Sequence, residues 1–514
     1  MTKTMNKRRV IVVGAGPGGL TSAMILAHRG FDVTVFEVNP TAGGRNMPLR
    51  ADGFTFDTGP TFLMMPFILR EMFEEVGRKV DDYLTFKPLD PLYCLKFDDR
   101  DVFVSANHGE MKAQIQEHFP GQEKGLDQFL REERKRYKYL SPCIKKDYSS
   151  VRSLMCITLL KAFPYLSLGR SLFQNLGRYF GDEKLKLSFT FQSKYLGMSP
   201  WKCPAFFTML PFVEHEWGIL HVIGGLNQIS QAMAKVVEEE GGKIFTSTPV
   251  ESLVVEKGAV TGVTLTNGEK VLADVVVVNA DFAHAMSNLV APGILRKYSR
   301  SNLKKKDYSC STFMIYLGAN KLYPMHHHTI VFAEDYRRNI ENIFEKKVLS
   351  EDMSFYVQNA SVTDPTLAPE GKSTIYILVP VPNRMAVVDW TVEKEGFRNK
   401  VLNLVSKRTL MVDLRDHIEV ERIITPQDWE ENHRIYLGAT FNLSHKFSQL
   451  LYLRPRNRFE ELKNCYLVGG GTHPGSGLPT IYESARISSN LICKQHGTLH
   501  QTSSEKPRKE NRTH

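Results

Sequence analysis

The sequence predicts an α/β protein in which a Rossmann-like dinucleotide-binding domain is assembled from three distant segments, with an α+β domain made of the chain that lies between them. Three observations predict it. Gly14-x-Gly16-x-x-Gly19 separates a β-branched run from a helical stretch near the start of the chain. Leu272–Ala280 (LADVVVVNA) is apolar and β-branched almost throughout, as expected of a strand covered on both faces. Cys465–Gly469, a Gly/Pro-rich loop through Pro479 and a helical pattern over Thr480–Lys494 repeat the strand, loop and helix order near the other end.

Taken in order, Val10–Val13 is the first strand, Gly14–Gly19 the turn, Leu20–Arg29 a helix ended by Gly30, and Val33–Glu37 the second strand. Gly14 permits the tight turn, Gly16 lets the backbone approach a pyrophosphate, and Gly19 lets helix and strand pack closely. The helix start then offers unpaired N–H groups to phosphate. Glu37, at the end of the second strand, suits the ribose hydroxyls and would repel a 2′-phosphate. Gly224-Gly225 opens a helix through about Glu240, and Lys243–Thr246, Val250–Val255 and Gly262–Thr266 read as strands. Asn267-Gly268 predicts a hairpin turn with both central residues at positive φ. These segments set the expected domains: 7–90, 221–284 and 456–495 for the dinucleotide, 91–220 and 285–455 for a substrate, and 496–514 as a polar, disordered tail.

Composition removes several classes of function. The 514 residues are 42% hydrophobic and 24% charged, a globular mixture large enough for two to four domains at roughly 100–200 residues each. No uncharged apolar run approaches the roughly 18 residues of a spanning helix, and mean hydropathy is −0.26. Met1–Arg9 leads into the Gly-rich unit rather than an apolar segment with a cleavage site, which argues against secretion. Seven cysteines, an odd number with no Cys-x-x-Cys, read as reduced thiols in the cytoplasm, and no metal site is expected. The net charge of +10 leaves nucleic acid, an anionic membrane surface or mere solubility as open explanations. No basic, aromatic-interleaved motif supports nucleic acid.

Gly43-Gly44-Arg45 and Gly53-Phe54-x-Phe56-Asp57-x-Gly59-Pro60 follow the second strand, where a flavin lying extended across the domain needs small residues and a cation. This arrangement resembles the flavin-containing amine oxidase and carotenoid desaturase superfamily, whose cofactor is FAD. Tyr466-Leu467-Val468-Gly469-Gly470-Gly471-Thr472-His473-Pro474-Gly475-Ser476-Gly477-Leu478-Pro479 looks like the C-terminal signature of bacterial-type phytoene desaturases. Tyr195–Pro200 and His221–Leu226 look like that family's passage between its two domains. Amine oxidases typically carry an acidic residue where Gly470 stands. The resemblance implies FAD held by Gly14, Gly16, Gly18, Gly19, Glu37, Gly43, Gly44, Arg45, Gly59, Pro60, Val250, Gly469, Gly470, Gly471, Gly477, Leu478 and Pro479. It also implies that the last helix points its N-terminus at the flavin ring.

The implied activity is desaturation of phytoene or its diapo counterpart by hydride transfer to flavin, with electrons leaving to oxygen or a membrane quinone. Rivals are a carotenoid terminal-methyl oxidase or another polyisoprenoid oxidoreductase of the same fold, and a non-catalytic flavin-binding redox module. Because a polyene spreads the developing charge, such a site needs positioning and dryness more than a strong catalytic acid or base. His473 either shuttles a proton or orients the flavin-facing loop. Asp57 is expected to fix a turn, His326–His328 to form an exposed loop, and Glu214, His215 and Glu216 to form a solvated or structural cluster. Phe189, Phe191, Tyr195, Trp201, Phe206, Phe207 and Phe212 are either a hydrocarbon channel or plain core. Leu154–Leu160, between Arg152 and Lys161, is the expected contact with a membrane surface.

Overall fold

Residues 7–497 are described by the computed structural model. Its first layer is a five-stranded parallel sheet in the order Cys465–Leu467, Val275–Val278, Arg9–Val13, Asp32–Phe36, Lys243–Phe245. Those strands come from three widely separated stretches of chain. Val275–Val278 is buried at every residue, in keeping with its all-valine sequence. The helix Pro17–His28 is apolar on nearly all sides because it is sandwiched: the helices Asn227–Glu239 and Leu478–His496 both pack on it.

The second layer is a seven-stranded sheet in the order Ile418–Ile424, Ser311–Ala319, Ser373–Val381, Phe355–Asn359, His328–Val331, Tyr93–Lys96, Asp101–Val104. All its pairs are antiparallel except His328–Val331 with Tyr93–Lys96. Strand alternation splits its side chains. Phe313, Ile315 and Leu317 pack under the helix Trp390–Arg408, whereas Met314 and Tyr316 turn towards Phe54 and Phe56. That second face binds the layers together: Tyr316 and Tyr376 donate to the carbonyls of Thr58 (2.8 Å) and Gly59 (3.0 Å). A helical segment, including Glu123–Ile144 and Met209–Trp217, covers one end.

Two local expectations change. In the Asn267-Gly268 turn only Gly268 has positive φ (85°). The Asn267 side chain instead accepts the Glu269 N–H at 3.0 Å, and the loop closes through Leu265 to Glu269. The last helix runs two residues beyond the sequence estimate at either end, with Pro479 in its first turn and Gly497 at φ 70° after it. His496 is therefore helical; the rest of the expected tail, from 498, lies outside the described residues.

Candidate functional site

The site forms where the Gly14–Gly19 turn, the end of the Val275–Val278 strand and the Gly469–Gly477 loop meet. Gly14 adopts φ 97°, and a Cβ there would sit 2.5 Å from the Asn279 carbonyl. At Gly19 a Cβ would lie 2.1 Å from the Gly14 carbonyl, so helix and turn approach as closely as glycine allows. At Gly16 and Gly18 it would press on the Asn279 amide, at 3.0 and 2.8 Å. Asn279 is thus the hub of the turn, and its Nδ2 donates to the Gly14 carbonyl at 3.0 Å. Sequence reasoning treated it as the tail of an apolar strand; its only signal was a lone amide following four valines.

Glu37 is buried at the end of the second strand. Its Oε2 accepts the Ala15 N–H (2.7 Å), and its Oε1 accepts the Asn39 N–H (2.8 Å) and side-chain amide (2.7 Å). Gly43 donates its N–H to the Ala15 carbonyl, which brings the second glycine pair against the first turn. Arg45 donates to the Thr440 carbonyl. Asn442, with its amide turned to satisfy both neighbours, joins Arg45 Nη2 (2.9 Å) to Asp281 Oδ2 (2.8 Å). The Arg45 charge is therefore shared with Asp281. Gly59 packs against the Arg45 carbonyl, and Thr61, just past Pro60, bonds the Tyr356 hydroxyl at 2.7 Å. Val250 is buried in one cluster with Val13 and Phe36.

The terminal loop completes the site. Gly470 and Gly471 are hemmed in by Ser476, Asn442 and Phe282, and Gly477, Leu478 and Pro479 begin the last helix. Both site helices, Pro17–His28 and Leu478–His496, start without a side-chain cap, leaving first-turn N–H groups free for a ligand. The residues present therefore fit a dinucleotide carrying pyrophosphate, with a second group placed near the terminal loop. When bound, FAD would supply a hydride acceptor there.

Several polar residues take positions the sequence did not disclose. His473 Nε2–H donates to the Lys146 carbonyl (3.0 Å), and burial drives the ring's pKa down to about 3. The ring, neutral and anchored in this way, ties the loop to the Lys146 backbone. Asp57 is no local turn device: it faces the N–H groups of Leu226 and Asn227 at the start of another segment's helix, and burial raises it to about 6. The His326–His328 tract is not an exposed loop either. Only His326 is exposed; His328 opens a strand, and its Nδ1 lies 2.7 Å from the Tyr356 hydroxyl. His327 packs on His221, whose Nε2 bonds Asp364 at 2.9 Å. Local composition could not show that strand pairing would carry two histidines inside.

The charged cluster divides likewise. Glu216 pairs with Arg134 near the surface, but Glu214 has no exposure and accepts from Tyr93 (2.8 Å) and Gln192 (2.8 Å). The aromatic set separates too: Phe189, Phe191 and Phe212 are core, whereas Tyr195, Trp201 and Phe206 are half-buried. Phe207 lies 6.0 Å from His445 and 4.3 Å from Phe206, which reaches the partly exposed Phe447 at 5.6 Å. Because the Ser476 N–H donates to His445, this aromatic line runs from the terminal loop to the surface. No group of three metal-ligating side chains occurs among the described residues.

Fold and site together define a flavin-type dinucleotide oxidoreductase with an apolar approach. The family described as flavin containing amine oxidoreductase matches residues 17–493. The chain is 57% identical to the 4,4'-diapophytoene desaturase (4,4'-diapolycopene-forming) of Methylomonas sp, over 96% of each protein. It is 39% identical to the zeta-carotene-forming phytoene desaturase of Myxococcus xanthus, over 95% of this chain and 94% of that one. A solved triple mutant of putrescine oxidase superposes with a TM-score of 0.62 at 15% identity, covering 95% of this chain and 99% of that one, a likeness of fold alone. The protein belongs to the flavin containing amine oxidoreductase family, within its carotenoid desaturase-like members, and is an FAD-dependent oxidoreductase.

Two outcomes follow from this geometry. Replacing Glu37 with Gln removes an acceptor from the Ala15 or Asn39 amide and should weaken FAD binding roughly tenfold, about 1–2 kcal/mol, in a fluorescence titration of apoprotein. For Glu214, burial raises the pKa from 4.5 to about 7, against the hydrogen bonds from Gln192, Tyr93 and Tyr195. The folded state thus keeps a proton that the unfolded chain surrenders above pH 4.5, and the stability so gained is lost as pH rises towards 7. Glu214→Gln should therefore melt on the order of a few °C higher than the parent at pH 8, with no gain below pH 4.5, as read by calorimetry across pH.

Proposed function

We infer that the protein introduces double bonds into a linear isoprenoid hydrocarbon of the 4,4'-diapophytoene type, as a step of carotenoid biosynthesis. The observation that carries this substrate is the 57% identity, along the whole chain, to a desaturase of that compound. The geometry is consistent with it. When bound, FAD would supply the hydride acceptor, and a proton from the adjacent carbon would leave to solvent, so each new double bond removes two hydrogens. The polyene delocalises the charge between these events, so the chain's task is to position a flexible hydrocarbon and keep water out. Half-buried Tyr195, Trp201 and Phe206 offer such a wall without a formal charge.

A substrate insoluble in water needs a route from a lipid phase. Met155, Ile157 and Leu160, within the Leu154–Leu160 stretch where the sequence suggested a membrane contact, and Val151, Phe163 and Leu168, which flank it, are each between 52% and 76% exposed. Arg152, Lys161 and Arg170 are exposed beside them. Phe206 packs against the buried Leu140, Cys143 and Ala162 that carry this segment, and also against Phe447. The exposed Phe447 thus extends the apolar rim, and the aromatic line reaches the surface there. This arrangement supports a peripheral contact through which hydrocarbon enters; no helix among the described residues is long and apolar enough to cross a membrane. Electrons would leave the reduced cofactor to oxygen or a quinone of the same membrane.

Incubation of the FAD-loaded protein with liposomes carrying 4,4'-diapophytoene or phytoene tests the reaction. The expected product is two hydrogens lighter per step, absorbs at longer wavelength, and forms faster from the diapo substrate. A gain of oxygen, or a preference for phytoene, would overturn the assignment. For the membrane contact, the double change Met155→Glu and Ile157→Glu should cut liposome binding at least tenfold, since burying each of the two side chains is worth about 1.5–3 kcal/mol. Turnover of detergent-dispersed substrate should persist, and unaltered flotation with liposomes would refute the contact.

A further inference from the structure

Arg454 is the largest side chain without solvent exposure among the described residues. Its guanidinium donates to five main-chain carbonyls and to nothing else: Nε to Thr472 (3.0 Å), Nη1 to Ser444 (3.4 Å) and Gln449 (3.2 Å), Nη2 to Leu443 (3.3 Å) and Gly470 (2.6 Å). Among the described residues the other deeply buried arginines face carboxylates, Arg136 with Glu133 and Arg486 with Glu483. Arg454 has none. Burial pulls its pKa down to about 9, and the only ionisable neighbour that favours its charge is the Tyr298 hydroxyl, so it remains a cation at neutral pH. A buried, unmatched cation costs several kcal/mol of lost hydration, which carbonyl dipoles offset only in part.

Two of those carbonyls belong to the loop that closes the cofactor site. The Gly470–Gly471 peptide is trans, so with its C=O held on Arg454 its N–H points the opposite way. That N–H donates to no group among the described residues. The Arg454 fork therefore fixes a peptide whose positive end is presented on the far side of the loop from the guanidinium.

We propose that Arg454 is an electrostatic positioning residue for the flavin: it sets the Gly470–Gly471 peptide and supplies, through the loop, the positive charge that balances the negative charge a flavin gains on accepting a hydride. This rests on the FAD site described above. Uptake of a hydride brings two electrons and one proton, hence one net negative charge, into a site whose other strong cation, Arg45, is already matched by Asp281. A charge held behind the loop favours the reduced state while leaving the face open to hydrocarbon free of charged side chains.

The test measures FAD content and then the two-electron midpoint potential of the bound flavin in the parent, Arg454→Lys and Arg454→Gln. Loss of the fork alone affects both variants; loss of charge affects only Gln. The expected result is that Arg454→Gln disfavours reduction at least tenfold, about 30 mV for a two-electron couple, while Arg454→Lys stays within about threefold of the parent, a fraction of that interval. A parental potential in Arg454→Gln, or equal shifts in both variants, would overturn the proposal. Should neither variant fold, the parent protein reconstituted with 8-mercapto-FAD decides: a quinoid spectrum, which a nearby positive charge induces, supports it, and a plain thiolate spectrum overturns it. Absence of bound FAD from the parent would instead indict the cofactor reading.

Discussion

Asn279 ends a strand whose neighbours in the sheet come from opposite ends of the chain, and its amide holds the Gly14 carbonyl across 265 residues of sequence. Its Oδ1 lies where a Cβ on Gly18 or on Gly469 would collide, so the same side chain sets how near the first helix and the terminal loop can come. The cofactor site exists only when these three stretches share one register. Closing such long loops is entropically costly, and no stretch alone presents both helix N-termini. A dinucleotide lying across all three would bind the assembled state alone, so its affinity adds directly to the stability of that assembly.

How far the chain could be read depended on whether the cause of each feature was local. The Gly14–Gly19 turn was legible because backbone geometry demands glycine at fixed spacing, and the valine run was legible because burial on both faces leaves an unbroken apolar signature. The terminal motif was legible through resemblance, because its glycines and prolines recur in the family. Asn279 was not, since one amide at a strand end has no periodicity. His327 and His328 were misjudged for the same reason. Three consecutive histidines suggest solvent, yet the parallel pairing of His328–Val331 with Tyr93–Lys96 carries two of them inwards. For Glu214 the structural one of the two expected roles holds, since Tyr93 and Gln192 from elsewhere in the chain donate to it in the interior.

The interior polar groups obey a common constraint. Glu214 carries a raised pKa, His328 and His473 are held neutral by burial, and Arg45 shares its charge with Asp281. Tyr356, between Thr61 and His328, bonds on both sides yet remains neutral. Among the described residues Glu214 Oε1, His328 Nε2 and His473 Nδ1 nonetheless have no hydrogen-bond partner, so this interior is low in charge without being free of polar demand.

That constraint conflicts with the chemistry, because hydride acceptance must create charge in the same dry space. The fold separates the two demands by depth. In the proposed arrangement hydrocarbon enters past exposed apolar side chains around Met155 and Phe447, while Arg454, buried and facing no carboxylate among the described residues, stands behind the glycine loop. Glycine is what makes the separation workable: at Gly471 a Cβ would sit 2.5 Å from Phe282, so the loop lies thin against its support and a charge one peptide away is still felt. An acidic residue at Gly470 would place a second charge beside Ser476 and Asn442 and neutralise the effect of Arg454. Substrate polarity and loop composition are therefore coupled. A site for an ammonium substrate can tolerate a carboxylate at this position, and a site for a hydrocarbon has reason to keep it empty.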